Sequence, residues 1–174
     1  MRTLFHSLVY LALGLWLGGL VFFAVILAPL AFSQLPPLFA NPAQGIHAAG
    51  VIVGGSLVRL HWVGMGCAVV FLAATLLARR HYRSILPQTV FVVAMLVLTA
   101  YSQFSIIPRM DTARDSVGGS IEAVSADNPG REIFDHLHQE SVRVESVILL
   151  CGLCALVLTA NLARRDPGAT SATP

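Results

Sequence analysis

Phe134, His138, Ser141 and Glu145 are spaced four, three and four residues apart, which puts a ring, an imidazole, a hydroxyl and a carboxylate on one face of an α-helix. Such a face can hydrogen-bond within an outer helix pair or hold a polar ligand or permeating species. It cannot chelate a metal through its two histidines, because His136 and His138 are two residues apart and point about 200° away from each other. A zincin-type helix needs histidines four apart, and this chain has no such pair. Nor does it show a nucleophile beside a base, a phosphate-binding loop or paired catalytic carboxylates at workable spacing, so the reading favours a protein that is not an enzyme.

The elements that must position this face are membrane helices. The chain is 56% hydrophobic and 11% charged with a mean hydropathy of +0.75, far more apolar than a soluble domain of its length. Crossing a hydrocarbon core of about 30 Å takes about 20 mostly apolar residues. Four segments qualify, at roughly 4–28, 60–78, 86–107 and 146–163. The first is too long for a signal-peptide core and lacks a clean cleavage site, so it is read as a retained span. The expected fold is all-α, an integral membrane four-helix bundle forming one domain over 1–165, with a disordered cytoplasmic tail at 166–174.

Local signals set the helix lengths. Pro29 is read as kinking or ending the first helix, and Pro108 as ending the third. Asn41-Pro42 and Asn128-Pro129 each pair an N-cap with a proline at the first helical position, and no breaker follows until about Ala78 and Ala163. Helices two and four should therefore extend beyond the membrane on the outer side, running parallel, with a flexible outer loop at 109–128 before the second of them. Arg59 lies seventeen residues past Pro42 and Glu145 sixteen past Pro129. Equal depth predicts an Arg59–Glu145 ion pair, since a charge near the hydrocarbon boundary needs a partner. Gln103 and His61 should lie close by, with Ser141 and His138 one and two turns above Glu145, completing a polar outer mouth.

Charge sets the orientation. Arg2, the cluster Arg79-Arg80-His81-Tyr82-Arg83 and Arg164-Arg165 fall at ends that four spans place on one side, while nearly all the carboxylates fall on the other. The positive-inside rule then puts both termini in the cytoplasm, in a bacterial inner membrane. The net charge of +2 sums a basic inner face and an acidic outer one and gives no reason to expect nucleic acid as a partner. Cys67, Cys151 and Cys154 all lie in predicted spans, so no disulfide framework is expected. Their spacing admits a thiol site for copper as a lesser alternative. Gly14, Gly18 and Gly19 on the first helix, with Gly50, Gly54 and Gly55 on the second, suit close helix contacts. They could serve a homo-oligomer or another membrane protein.

The run Leu15-Trp16-Leu17-Gly18-Gly19 with Pro29 and Phe32, the Ile107-Pro108-Arg109-Met110 exit, and the stretch from Phe134 through His138 and Ser141 to Glu145 resemble the transmembrane-protein-205-like domain family. The resemblance reaches about Arg165 and implies a four-span membrane protein of unknown activity, with export or metal handling as a suitable role and no mechanism carried to particular residues. The Trp-Leu-Gly-Gly helix also looks somewhat like the copper resistance protein D family and the membrane protoporphyrinogen oxidases, for which haem would be the cofactor and His61 the nearest ligand. The first expectation is a small transport or membrane-homeostasis factor without a cofactor. Behind it stand a haem- or metal-binding redox protein and a structural subunit of a membrane complex.

Overall fold

An asparagine before a proline starts a helix because the amide oxygen accepts a first-turn N–H that has no internal partner, and proline lacks the N–H that would otherwise be stranded. Both such pairs work this way in the computed structural model of the protein, which describes residues 2–78 and 85–164. Asn41 Oδ1 accepts from the Ala43 N–H at 3.0 Å and Asn128 Oδ1 from the Gly130 N–H at 2.9 Å. In chain order the α-helices are α1 (Arg2–Phe22), α2 (Ala28–Gln34), α3 (Pro42–Ala78), α4 (Leu86–Tyr101), α5 (Ile107–Ser116) and α6 (Pro129–Arg164). With 37 and 36 residues, α3 and α6 are each about 55 Å long, against a hydrocarbon core of about 30 Å. Replacing Asn128 by alanine should cost about 1 kcal/mol of stability in a detergent melt, while Asp127→Ala beside it should change little. Equal effects of the two would remove the cap argument. The arginine cluster at 79–83, the residues from 165 onward and the tail at 166–174 lie outside the described residues.

Neither proline inside the first and third spans ends its helix. A proline ring clashes with the carbonyl four residues earlier, Val25 for Pro29 and Phe104 for Pro108. In both places the backbone widens into a π turn over that residue, at Phe23–Leu27 and at Ser102–Ile106, and the helix then continues. Ala28 N–H reaches back to Phe23 O, and Ile107 N–H to Ser102 O. The first span thus runs on through α2 to Gln34, and the third through α5 to Ser116. The loop expected at 109–128 is correspondingly shorter. It turns through Gly118 and Gly119, whose φ values of 79° and 91° favour glycine, and then forms a 3₁₀ turn at Ile121–Ala123 that packs on α3 with Ile121 buried.

Four long apolar helices, each able to cross a membrane, form an all-α bundle. They pack in a ring, α1 on α3, α3 on α4, α4 on α6 and α6 on α1, so α3 and α6 are diagonal. The core of this ring is apolar, with Leu13, Trp16, Phe71, Met95 and Ile148 fully enclosed. Outward-facing residues such as Leu11, Val69, Leu77 and Val97 are apolar too, as lipid contact requires. One close approach depends on glycine: any side chain at Gly64 of α3 would collide with the Trp16 indole of α1. Gly19 faces only the end of the Leu60 side chain, which can turn aside, and Gly14 and Gly18 face open space and do not seat a helix within the chain.

Candidate functional site

His61 on α3 is almost wholly buried, at 1% exposure, and both its ring nitrogens are engaged across the bundle. Nδ1 lies 3.0 Å from Gln103 Oε1 in the α4–α5 π turn, and Nε2 lies 2.8 Å from Glu145 Oε1 on α6. Ser102 Oγ donates to the same Glu145 oxygen at 3.2 Å. The Gln103 amide can serve Nδ1 as acceptor or as donor according to which way it faces, and the Nε2–carboxylate contact is a hydrogen bond to Glu145 Oε1. The π turn matters here because it places Ser102 and Gln103 side by side at the level where the other two helices bring His61 and Glu145.

Arg59 does not join this group. It is exposed and donates to its own helix, from Nη1 to Gly55 O at 3.0 Å, and the predicted Arg59–Glu145 ion pair is not formed. Depth and rotation are separate properties of a helix. Residues two apart differ by about 200° in direction, so the rotation that aims His61 at Glu145 turns Arg59 away. His61 lies nineteen residues past Pro42, three more than Glu145 past Pro129, a difference of about 4.5 Å that the two side chains span. Trp62 and Phe104 meet edge to face at 6.0 Å on the adjoining outer surface, an aromatic pair of the kind that marks a membrane boundary.

Above this level the bundle opens. The chain beyond each π turn follows a different neighbour, α2 lying on α3 and α5 on α6. The two pairs diverge and leave a crevice of about 840 Å³. Its walls are mostly apolar and include Phe23, Phe32, Val58, Met110 and Leu149. Ser141 and Glu145 border it, as do His138 and His47. His138 stacks flat on Phe134, ring centres 6.3 Å apart, and the Arg114 guanidinium covers the same ring at 5.1 Å while bonding Asp111 at 3.0 Å. The second oxygen of the Glu145 carboxylate, Oε2, is buried and has no hydrogen-bond partner. The apolar core closes the crevice below.

Of the six predicted site residues, His61, Gln103 and Glu145 are directly joined, Ser141 and His138 stand on the crevice wall, and Arg59 lies apart. Ser102, Arg114, Asp111, Glu122 and His47 were missed as site residues. Ser102 was signalled by its place beside Gln103, but the others belong to helix ends that only tertiary structure brings together. A further polar contact, Tyr101 OH donating to Glu140 Oε1 at 2.5 Å, ties α4 to α6 outside the crevice. The three thiols do not converge: Cys67 is buried and Cys154 exposed, and among the described residues no three His, Cys, Asp or Glu side chains are placed to hold one metal ion. His61, with both nitrogens hydrogen-bonded, has none free for a haem iron.

No curated protein and no solved structure matches the chain. One family profile does, described as Domain of unknown function (DUF4149), over residues 11–117. The match takes in His61, Ser102 and Gln103 and stops short of α6, so it does not include Glu145. Because it covers more than half of the sequence, the chain belongs to the DUF4149 family.

Proposed function

We propose that this protein is a small transport or membrane-homeostasis factor that takes an amphipathic molecule into the crevice and seats its polar end at the His61–Gln103–Glu145 level. The observation that carries this reading is Glu145 Oε2, a buried acceptor without a partner beside a cavity of ligand size. Leaving such an acceptor unpaired costs about 1–3 kcal/mol, more if it is charged, and a bound donor would recover that cost. An intramembrane ionisable group facing a cavity is by default a functional one. The arginine distribution in the sequence supports an orientation with the crevice on the outer side of a bacterial inner membrane.

Gly54 borders the crevice with open space around it, so Gly54→Trp should fill the cavity without disturbing the bundle. Val69→Trp adds the same bulk on the outer surface. Extracted directly into polymer nanodiscs, the parent and Val69→Trp proteins should retain an amphipathic species, detected by mass spectrometry, that falls about tenfold in Gly54→Trp. If every co-extracted molecule is equally abundant in all three, the crevice is not a binding site and the reading fails.

A further inference from the structure

We infer that the molecule taken by this crevice is a lipophilic cation, an apolar body carrying an ammonium group whose N–H donates to Glu145 Oε2. The inference rests on the crevice being a binding site and adds the chemical class of its ligand. Three features point to it.

The first is the acceptor. Glu145 Oε1 already receives Ser102 and faces His61, whereas Oε2, shielded from solvent on a side chain that borders the crevice, receives nothing, so this carboxylate has an acceptor to give to a ligand, while the donors on the walls besides Arg114 are the Ser141 hydroxyl and the imidazoles of His47 and His138. A donor that is itself charged makes the stronger bond to such an oxygen, roughly twice that of a neutral one.

The second is the charge of the walls. Three carboxylates border the cavity, Asp111, Glu122 and Glu145, against one guanidinium, Arg114. Arg114 and Asp111 bond each other at 3.0 Å, and the face of Arg114 rests on Phe134. Glu122 at the rim has no ion-pair partner among the described residues, and the remaining titratable groups on the walls are the imidazoles of His47 and His138. An anionic ligand would find no uncommitted arginine, while a cation would meet Glu122 on entry and Glu145 at the floor.

The third is the lining. Phe23 and Phe32 stand among the aliphatic side chains of the wall. Ring faces attract a cation, more so where water is excluded, and they accept an apolar body equally well. A lipid acyl chain would use only the apolar walls and leave Oε2 unpaired.

The test uses the full chain in phosphatidylcholine nanodiscs, with empty discs as the blank. Three fluorescent probes share one apolar body: 1-pyrenemethylammonium, 1-pyrenemethanol and 1-pyrenecarboxylate. Binding is read as saturable energy transfer from the tryptophans to pyrene. The ammonium probe should bind at least about tenfold more tightly than the other two, and Glu145→Gln should reduce it to the level of the alcohol. Unchanged binding of the alcohol by that variant shows that the crevice has kept its form. Glu140→Gln, outside the crevice, should leave all three alone.

Equal binding of ammonium and alcohol, or preference for the carboxylate, overturns the cation inference. So does an absence of saturable binding by any of them. In each case the crevice reading is judged separately, by the species lost in Gly54→Trp.

Discussion

His61→Ala is expected to lower the stability of the protein by about 3 kcal/mol, as measured by denaturant unfolding in detergent or nanodiscs. The size of the effect decides what kind of contact this is. An interhelical hydrogen bond in a membrane protein contributes on average about 0.6 kcal/mol, so loss of the two bonds at His61 alone would cost little more than about 1 kcal/mol. Removing the imidazole also strips Glu145 Oε1 of its nearest partner, on a side chain only 16% exposed. Breaking one side of a buried ionic pair typically costs about 3–5 kcal/mol, because the charge left behind is uncompensated. Glu145→Gln in the His61→Ala background should therefore restore part of the loss. Arg59→Ala should change stability by no more than about 0.5 kcal/mol, since that side chain is exposed and bonds its own helix. A large loss from Arg59→Ala, or strictly additive effects of the His61 and Glu145 changes, would show that the pairing described above is wrong.

The second large effect is steric. Gly64→Val should destabilise the bundle by about 1–3 kcal/mol, because the new side chain would occupy the space of the Trp16 indole, and Trp16 is 1% exposed and surrounded by core. Van der Waals fit matters more here than in a soluble core, since lipid offers apolar side chains an environment as favourable as the interior. Trp16→Ala in the same chain should relieve most of the strain, making the double variant more stable than Gly64→Val alone. Gly18→Val provides the contrast. Gly18 has no neighbour within 4 Å, so its substitution should be nearly neutral in the isolated chain. If Gly64→Val were also neutral, the α1–α3 contact would have to differ from the one described.

How much of this could be read from sequence depends on whether the signal is local. The asparagine-proline caps act within one turn, and the starts of α3 and α6 follow directly from them. Counting residues from those caps brought the right level of α3 opposite Glu145. It chose Arg59 over His61 because a count of depth carries no information about rotation, and the strongest charge drew the assignment. Pro29 and Pro108 were read as breaks because their missing N–H is visible in sequence, whereas the widened backbone turn that accommodates each of them is not. The crevice was out of reach altogether. It arises where α2 with α3 diverges from α5 with α6, four pieces far apart in sequence, and no local pattern records a divergence.

The two π turns also offer a route by which the crevice could change shape. Each holds one residue more than an α-helical turn would, and that surplus can travel along a helix by passing hydrogen bonds from one carbonyl to the next. When it moves past a residue, that residue swings by about 100° around the helix axis. The turns sit where two crevice walls join their spans, at Phe23–Leu27 below α2 and Ser102–Ile106 below α5, and the second contains Gln103 itself. Each wall is thus mounted on a pivot, and one pivot is wired to the polar level. Migration of the surplus residue through Ser102–Ile106 would withdraw Gln103 from His61 and rotate it and its neighbours within the wall, coupling the protonated pair to the aperture with no change in the length of either span, whichever of His61 and Glu145 holds the proton between them.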